Sequence, residues 1–327
     1  MKLYFSADRI ITPERELQGA AIEVVDGIIT DIRQHHGEIT QHFSGTLTPG
    51  FVDIHCHGGG GFSFGKIQEV ASAAQFHLNH GTTSVIASLV STPIPQILDF
   101  LKSAESLVDQ NVIAGVHLEG PFLALARCGA QNPAALAIPN EKIVNQLIHS
   151  GSKSLKMITI APEISGAMEA IKVFVAGGIT VALGHSEATS AEGKAAFDMG
   201  ATLITHFYNG MRPVDHPETS FGLEALKDDR VSVEMIVDGV HVSIEHLAMM
   251  KEKKKNKFIG ITDAIVAAGM PDGTWDLGGL SVSTQNNIAY LTNTKTLAGS
   301  TLTMSRVYEI LTTQVGFSAI EAAHATA

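Results

Sequence analysis

The chain has 327 residues, 45% hydrophobic, 17% charged and only 6% aromatic, enough small aliphatic side chain for the core of one large enzyme-like domain. A formal net charge of -11 and an isoelectric point near 5.7 exclude a nucleic-acid surface, which needs clustered Lys and Arg; the one basic run, Lys251 to Lys257, is broken by Glu252 and Asn256 and reads as a solvated helix end. Cys56 and Cys128 do not make a disulfide framework, no apolar stretch reaches spanning length and the N-terminus lacks signal-peptide features, so a soluble cytoplasmic protein is expected.

Residues 1–45 read as short strands, KLYFSADRII and AAIEVVDGIITDIRQH, the second folded back at the Asp26-Gly27 turn. From residue 46 to 327 the pattern changes to alternating apolar runs and helical segments. Candidate strands lie at 47–54, 82–89, 112–118, 155–160, 180–184, 202–205, 231–237 and 257–262. Helices are predicted over Gln68 to Asn79, Pro95 to Val108, Glu141 to His149, Gly166 to Ala176, Ala191 to Met199 and Ile244 to Lys254. Eight such units predict an α/β protein of the (β/α)8 TIM-barrel type, with its chemistry on the loops that follow the strands. After Asp263, a Gly-rich stretch reads as turns and a hairpin inserted around 274–292, forming a flap or joining the small N-terminal β unit. Met304 to Val315 and Ser318 to Ala325 again read as helical.

Five of the apolar runs end in residues that bind metals or move protons. His55 and His57 are two apart after Leu47 to Ile54, so an extended backbone sends both imidazoles to one face. Taken alone, such a pair is commonly two hydrogen-bonded histidines. Four glycines follow, Gly58 to Gly61, and let the backbone fold close over a site. Glu119 closes VIAGVHL, His185 follows ITVALG and His206 follows ATLIT. A single histidine in such a place is more often a satisfied core residue, but barrel geometry brings three strand ends to one axis. One Glu and two His with an open position for water is a catalytic zinc set. Asp263, after FIGIT, is placed to act as general base and acid, with a structural salt bridge as its duller reading.

The ordered motifs PGFVDIHCHG, HLEGPF, APE at Ala161 to Glu163, LGHSEAT, THFYNGM, DGVHV, TDAIVAAGMPDG and LAGSTLTM resemble those of N-acetylglucosamine-6-phosphate deacetylases of the amidohydrolase superfamily. The resemblance runs from about residue 1 to 315. It implies metal-dependent hydrolysis of the 2-acetamido group of N-acetylglucosamine 6-phosphate, giving glucosamine 6-phosphate and acetate. It assigns Glu119, His185 and His206 as principal metal ligands, His55 and His57 as the pair that holds a second ion bridged through Glu119, and Asp263 as the catalytic acid and base. His241, Asn209 and Gly210 become substrate-binding positions. One or two divalent cations per chain are expected, zinc first, with iron, manganese or cobalt as alternatives. The implied partners are an amino-sugar phosphate and a second copy of the chain in a homodimer, with no nucleic acid and no membrane.

Three departures stand out. Where many relatives have a histidine that polarises the carbonyl, this chain has Gln131 in Gly129-Ala130-Gln131-Asn132-Pro133. Where relatives have an arginine that reaches the phosphate across a dimer interface, this chain reads His216-Pro217-Glu218-Thr219, with Arg212 or His216 as substitutes. Relatives also continue past the last helix with strands that complete a β-sandwich-like subdomain, so that subdomain is expected to be incomplete at the C-terminus. The altered phosphate slot motivates alternatives: a deacetylase of N-acetylgalactosamine 6-phosphate or of an unphosphorylated sugar, or a weakly active, truncated relative that binds amino sugars.

Overall fold

The computed structural model describes residues 1–34, 37–214 and 219–327. The N-terminal segment is one sheet of five strands, β1 (Lys2–Ile11), β2 (Glu16–Leu17), β3 (Ala20–Val25), β4 (Ile28–Gln34) and β5 (Gln41–Leu47). Asp26 and Gly27, with φ of 50° and 83°, make the β3–β4 turn, the left-handed pair that a two-residue hairpin requires. Ala7, Ile10, Ala20 and Ile22 form the sheet's own small core. The described residues hold one layer here, without the facing sheet that a sandwich has.

Eight parallel strands form the barrel: β6 (Phe51–Cys56), β9 (Thr82–Leu89), β10 (Gly115–Glu119), β11 (Leu155–Ile160), β12 (Thr180–Leu183), β13 (Leu203–Ile204), β14 (Ser232–Ile236) and β15 (Phe258–Ile261), hydrogen-bonded in that order. The glycine run after β6 makes two short strands, β7 (Gly58–Gly59) and β8 (Phe62–Ser63). All eight predicted barrel strands are present. The first begins at Phe51 rather than 47, because Pro49 has no N–H to give a ladder and Gly50 follows it; Leu47 pairs instead with Ile10 of β1. The seam between the first and last barrel strands closes through Asp263 N–H donating to the His55 carbonyl at 2.9 Å. Beneath it, the buried Asp53 carboxylate accepts from the Thr262 hydroxyl at 2.5 Å and the Thr262 N–H at 3.3 Å. Burial pushes the Asp53 carboxyl up to about 6.

Outside the barrel lie α1 (Val70–Asn79), α2 (Ile94–Asp109), α3 (Glu141–Ser150), α4 (Ala167–Ala176), α5 (Ser190–Asp198), α6 (Phe221–Lys227), α7 (Ile244–Lys254), α8 (Met304–Ile310) and α9 (Ala319–Thr326). Side-chain caps start several of them: Asn140 on α3, and reciprocal boxes of Thr189 with Glu192 on α5 and Ser318 with Glu321 on α9. The sequence reading passed over α6, only seven residues long with a glycine in its first turn. The basic run is also more structural than expected. Lys254 is buried, and its ammonium caps the end of α6 by donating to the carbonyls of Ala225 and Asp228 at 2.9 and 3.0 Å.

The barrel interior is filled in layers, because residues two apart on a strand share a face. Met157, Ala182 and Leu203, with Ile54 and Ile259, form an apolar plug. One step further along the strands is a polar layer: His117 bonds Ser88 and Thr159 at 3.0 and 2.8 Å, and Thr159 bonds Thr205 at 2.7 Å. The next positions belong to the site. Over the barrel mouth stands a separate antiparallel sheet of β16 (Thr274–Leu277), β17 (Leu280–Gln285) and β18 (Ile288–Leu291). It pairs with none of β1 to β5, and its Leu277 lines the cavity above the site.

Candidate metal centre and active site

Glu119 is the last residue of β10, whereas His185, His206 and Asp263 each come two residues after β12, β13 and β15. These three have φ of 47°, 27° and 50°. A left-handed residue at a strand end turns its side chain back over the barrel mouth, at a cost of about 1–3 kcal/mol each for a non-glycine residue. Neighbouring backbone holds the strained turns: Ser300 N–H donates to the Asp263 carbonyl at 2.7 Å and Ala124 N–H to the His185 carbonyl at 3.0 Å. Gly210 closes against one of them, since a Cβ there would lie 3.0 Å from His185 Nδ1.

The side chains converge on Glu119. Its Oε1 lies 3.0 Å from His185 Nε2, 2.9 Å from His206 Nε2 and 3.5 Å from His55 Nε2, while its Oε2 lies 3.2 Å from His57 Nε2. Asp263 Oδ1 is 3.2 Å from His57 Nε2 and 3.6 Å from His55 Nε2. Two possible cation positions therefore share Glu119, one with His185 and His206 and one with His55 and His57.

The opposite edge of each imidazole decides what the site is built to hold. Nδ1 of His55 faces Glu234 Oε2 at 2.9 Å, that of His57 the Ser88 carbonyl at 3.1 Å, that of His185 the Arg127 carbonyl at 2.8 Å and that of His206 the Asn209 carbonyl at 3.1 Å. All four partners only accept, so each Nδ1 carries a proton and each Nε2 points inward, where loss of its own proton frees a lone pair for a cation. His55 Nε2 and His57 Nε2 are 3.2 Å apart. Two lone pairs at that distance repel unless a positive charge lies between them. The separation matches the edge of a tetrahedron with metal–nitrogen bonds of about 2.0–2.1 Å, roughly 3.3 Å.

The electrostatics of the cluster favour positive charge. Burial by itself would lower the basicity of His55, yet Glu234 and Glu119 outweigh it and hold His55 well above the usual histidine range. His57 follows the same pattern, burial being overcome by Asp263 and Glu119, and is pushed up to about 9. Glu119, despite burial, is held well below the usual carboxylate range by His55, His185 and His206, and Asp263 is lowered by His57 and His55. Carboxylates concentrated in a closed space favour positive charge there, from imidazolium or from a cation.

The remaining residues divide. Gln131, Asn209, Gly210 and His241 line the cavity with the cluster. Gln131 spends its amide locally: its Nε2–H donates to Glu119 Oε2, and its Oε1 accepts from Ser91 N–H at 2.6 Å. His241 Nδ1 is 2.6 Å from Asp238 Oδ2, which leaves Nε2 for a ligand. Arg212, one of the two candidates for the phosphate, is turned toward Glu187. It does not line the cavity, because its N–H donates to the Ser186 carbonyl and carries the side chain to Glu187, whose carbonyl accepts from Nε at 2.8 Å. His216 lies outside the described residues.

Sequence reading missed Glu234, Asp238 and His117. Glu234 had a visible signal, a carboxylate inside the apolar run VSVEMIV. Fully buried, it fixes His55 and also accepts from the His206 N–H at 3.2 Å. Glu234→Gln keeps the shape but removes the charge that orients His55, and cation affinity is expected to fall about 10- to 100-fold. Competition with a chelator of known affinity measures this, and an unchanged dissociation constant would contradict it. Asp53, Cys56 and His77 also cluster. There burial pushes the Cys56 thiol up and His77 down to about 4, and His77 Nε2 is 2.9 Å from the Gly58 carbonyl, so this group is packing.

The sequence matches the model of the Amidohydrolase family over residues 46–272, most of the chain. The chain belongs to the amidohydrolase family. Such enzymes are metal-dependent, and this amidohydrolase is a hydrolase acting on an amide C–N bond. It is 31% identical over 324 residues to the N-acetylgalactosamine-6-phosphate deacetylase of Escherichia coli O157:H7, covering 97% of this chain and 86% of that one. It is 33% identical over 298 residues to the N-acetylglucosamine-6-phosphate deacetylase of Lysinibacillus sphaericus, covering 86% and 75%. Among solved structures, N-acetyl-D-glucosamine-6-phosphate deacetylase from Mycobacterium smegmatis superposes with a TM-score of 0.96 at 34% identity over 99% of this chain and 88% of that one. N-acetylglucosamine-6-phosphate deacetylase from Thermotoga maritima gives 0.90 at 32% over 100% and 87%.

Proposed function

We propose that this amidohydrolase removes the acetyl group of N-acetylglucosamine 6-phosphate, releasing acetate and glucosamine 6-phosphate. The observation that carries the reading is the convergence of Glu119, His55, His57, His185 and His206 beneath a cavity of about 300 Å³ that also exposes Asp263 and His241. The names of relatives covering most of the chain support the sugar and its phosphate.

Glu119, His185 and His206 would hold one divalent cation, and His55 and His57 with Glu119 a second, zinc being the cation the nitrogen-rich donor set suits best. A bound cation supplies Lewis acidity toward the amide carbonyl oxygen and toward a water beside it. Asp263, ionised at neutral pH, takes a proton from the attacking water as oxygen bonds to the carbonyl carbon. It then returns that proton to the amide nitrogen as the C–N bond breaks, so that the amine leaves together with acetic acid, which gives up its remaining proton to become acetate. Asp238 fixes the His241 ring, whose Nε2 meets the sugar, while Asn209 and Gly210 line its side of the cavity. Gln131 acts through Glu119, steadying the shared carboxylate. We assign the working assembly as a homodimer and the compartment as the cytoplasm; both free cysteines suit a reducing one.

The test is a comparison of kcat/KM on N-acetylglucosamine 6-phosphate, its galacto epimer and unphosphorylated N-acetylglucosamine. The reading expects the first to be preferred. A preference for either of the others would replace it.

A further inference from the structure

Lys295 is the only lysine or arginine among the described residues lining the catalytic cavity. Arg127 and Arg212, the nearest other guanidinium groups in sequence to the site loops, are both engaged with Glu187. Lys295 is set apart from the other exposed lysines by its place on the cavity wall. Lys66, Lys153, Lys172, Lys194 and Lys227 each pair with a carboxylate. Lys295 makes no ion pair with any described residue.

Its position is built. The turn after β18 reverses at Asn293, with φ of 63°. Thr294 N–H donates to the Leu291 carbonyl at 3.0 Å, Leu291 N–H to the Thr296 carbonyl at 2.9 Å and Ala298 N–H to the Ala289 carbonyl at 3.0 Å. From this anchored turn the chain runs along the cavity wall through Thr296, Leu297 and Gly299 to Ser300, whose N–H holds the Asp263 carbonyl. One short segment thus spans from an exposed cation at the mouth to the buried acid at the floor. The groups that act on the amide lie at the floor, so the far end of a bound substrate faces the mouth, where Lys295 is the one lysine or arginine among the described lining residues.

We infer that Lys295 is the cation, supplied within the chain, that receives the 6-phosphate and sets the preference for phosphorylated amino sugars. This rests on the function proposed above, and its residue is a specificity determinant rather than a catalytic one. The ammonium gives a phosphate a point charge and up to three donors without demanding a fixed fork geometry.

The experiment measures Lys295→Met and Lys295→Arg in the metal-loaded full chain. Initial rates on N-acetylglucosamine 6-phosphate and N-acetylglucosamine give the ratio of the two kcat/KM values. Calorimetry with glucosamine 6-phosphate and with glucosamine reads binding without turnover. Lys295→Met is expected to lower the ratio about tenfold, through KM, to weaken glucosamine 6-phosphate binding by a similar factor and to flatten its salt dependence, while Lys295→Arg restores most of it. Equal losses on both sugars, or a ratio that does not move, would overturn the assignment and place the phosphate-binding cation elsewhere. A wild-type chain inactive on both sugars sinks the proposed reaction instead, and the binding arm still reads Lys295 by itself.

Discussion

Asp263→Asn is expected to lower kcat on N-acetylglucosamine 6-phosphate about 10³-fold while the protein folds and loads metal as before. The substitution is close to silent in conformation, because asparagine tolerates the left-handed region in which Asp263 sits at φ 50°. The backbone bonds through its N–H to His55 and its carbonyl to Ser300 survive. What disappears is a carboxylate able to accept a proton and give it back. Acetate release followed alongside metal content and KM makes the test, and a variant with normal turnover would remove Asp263 from the chemistry.

Glu119→Ala is expected to be broader in effect. Among the described residues, Glu119 is the one group within 3.5 Å of all four imidazoles, and it also receives Gln131. Without it both cation positions lose their shared ligand, and affinity is expected to fall by more than the roughly 100-fold attached to an outer-layer partner. Added metal at about a hundredfold excess over its dissociation constant raises wild-type stability by about 2.7 kcal/mol. In Glu119→Ala that metal-dependent rise in melting temperature is expected to vanish together with activity. An equal rise in variant and wild type would show that the cation sits elsewhere.

Much of this was readable because strand ends in a barrel are few and converge. His55, His57, Glu119, His185, His206 and Asp263 were each found as an apolar run stopping at a ligand-type residue, and the structure brings all six together. Residues that act through others were harder to see. Glu234 lies inside a strand rather than at its end, and its partner His55 is 179 positions away. Arg212 was one of two substitutes offered for the phosphate arginine, and sequence shows its charge but not the turn that leads it to Glu187. Lys254 was read as solvated because the cap it makes belongs to α6, a helix too short to leave a periodic signal. Lys295 was invisible among polar turn residues, since its significance depends on where the β16 to β18 sheet stands over the barrel.

Deacetylation at the Glu119 cluster is expected to depend on a bound cation. Acetate release from N-acetylglucosamine 6-phosphate, measured as zinc is titrated back into chelator-stripped protein, tests it most directly. Activity rising from background to a plateau at one or two equivalents per chain is the predicted result. Acetate release that is as fast in the stripped protein as in the reloaded one would contradict it.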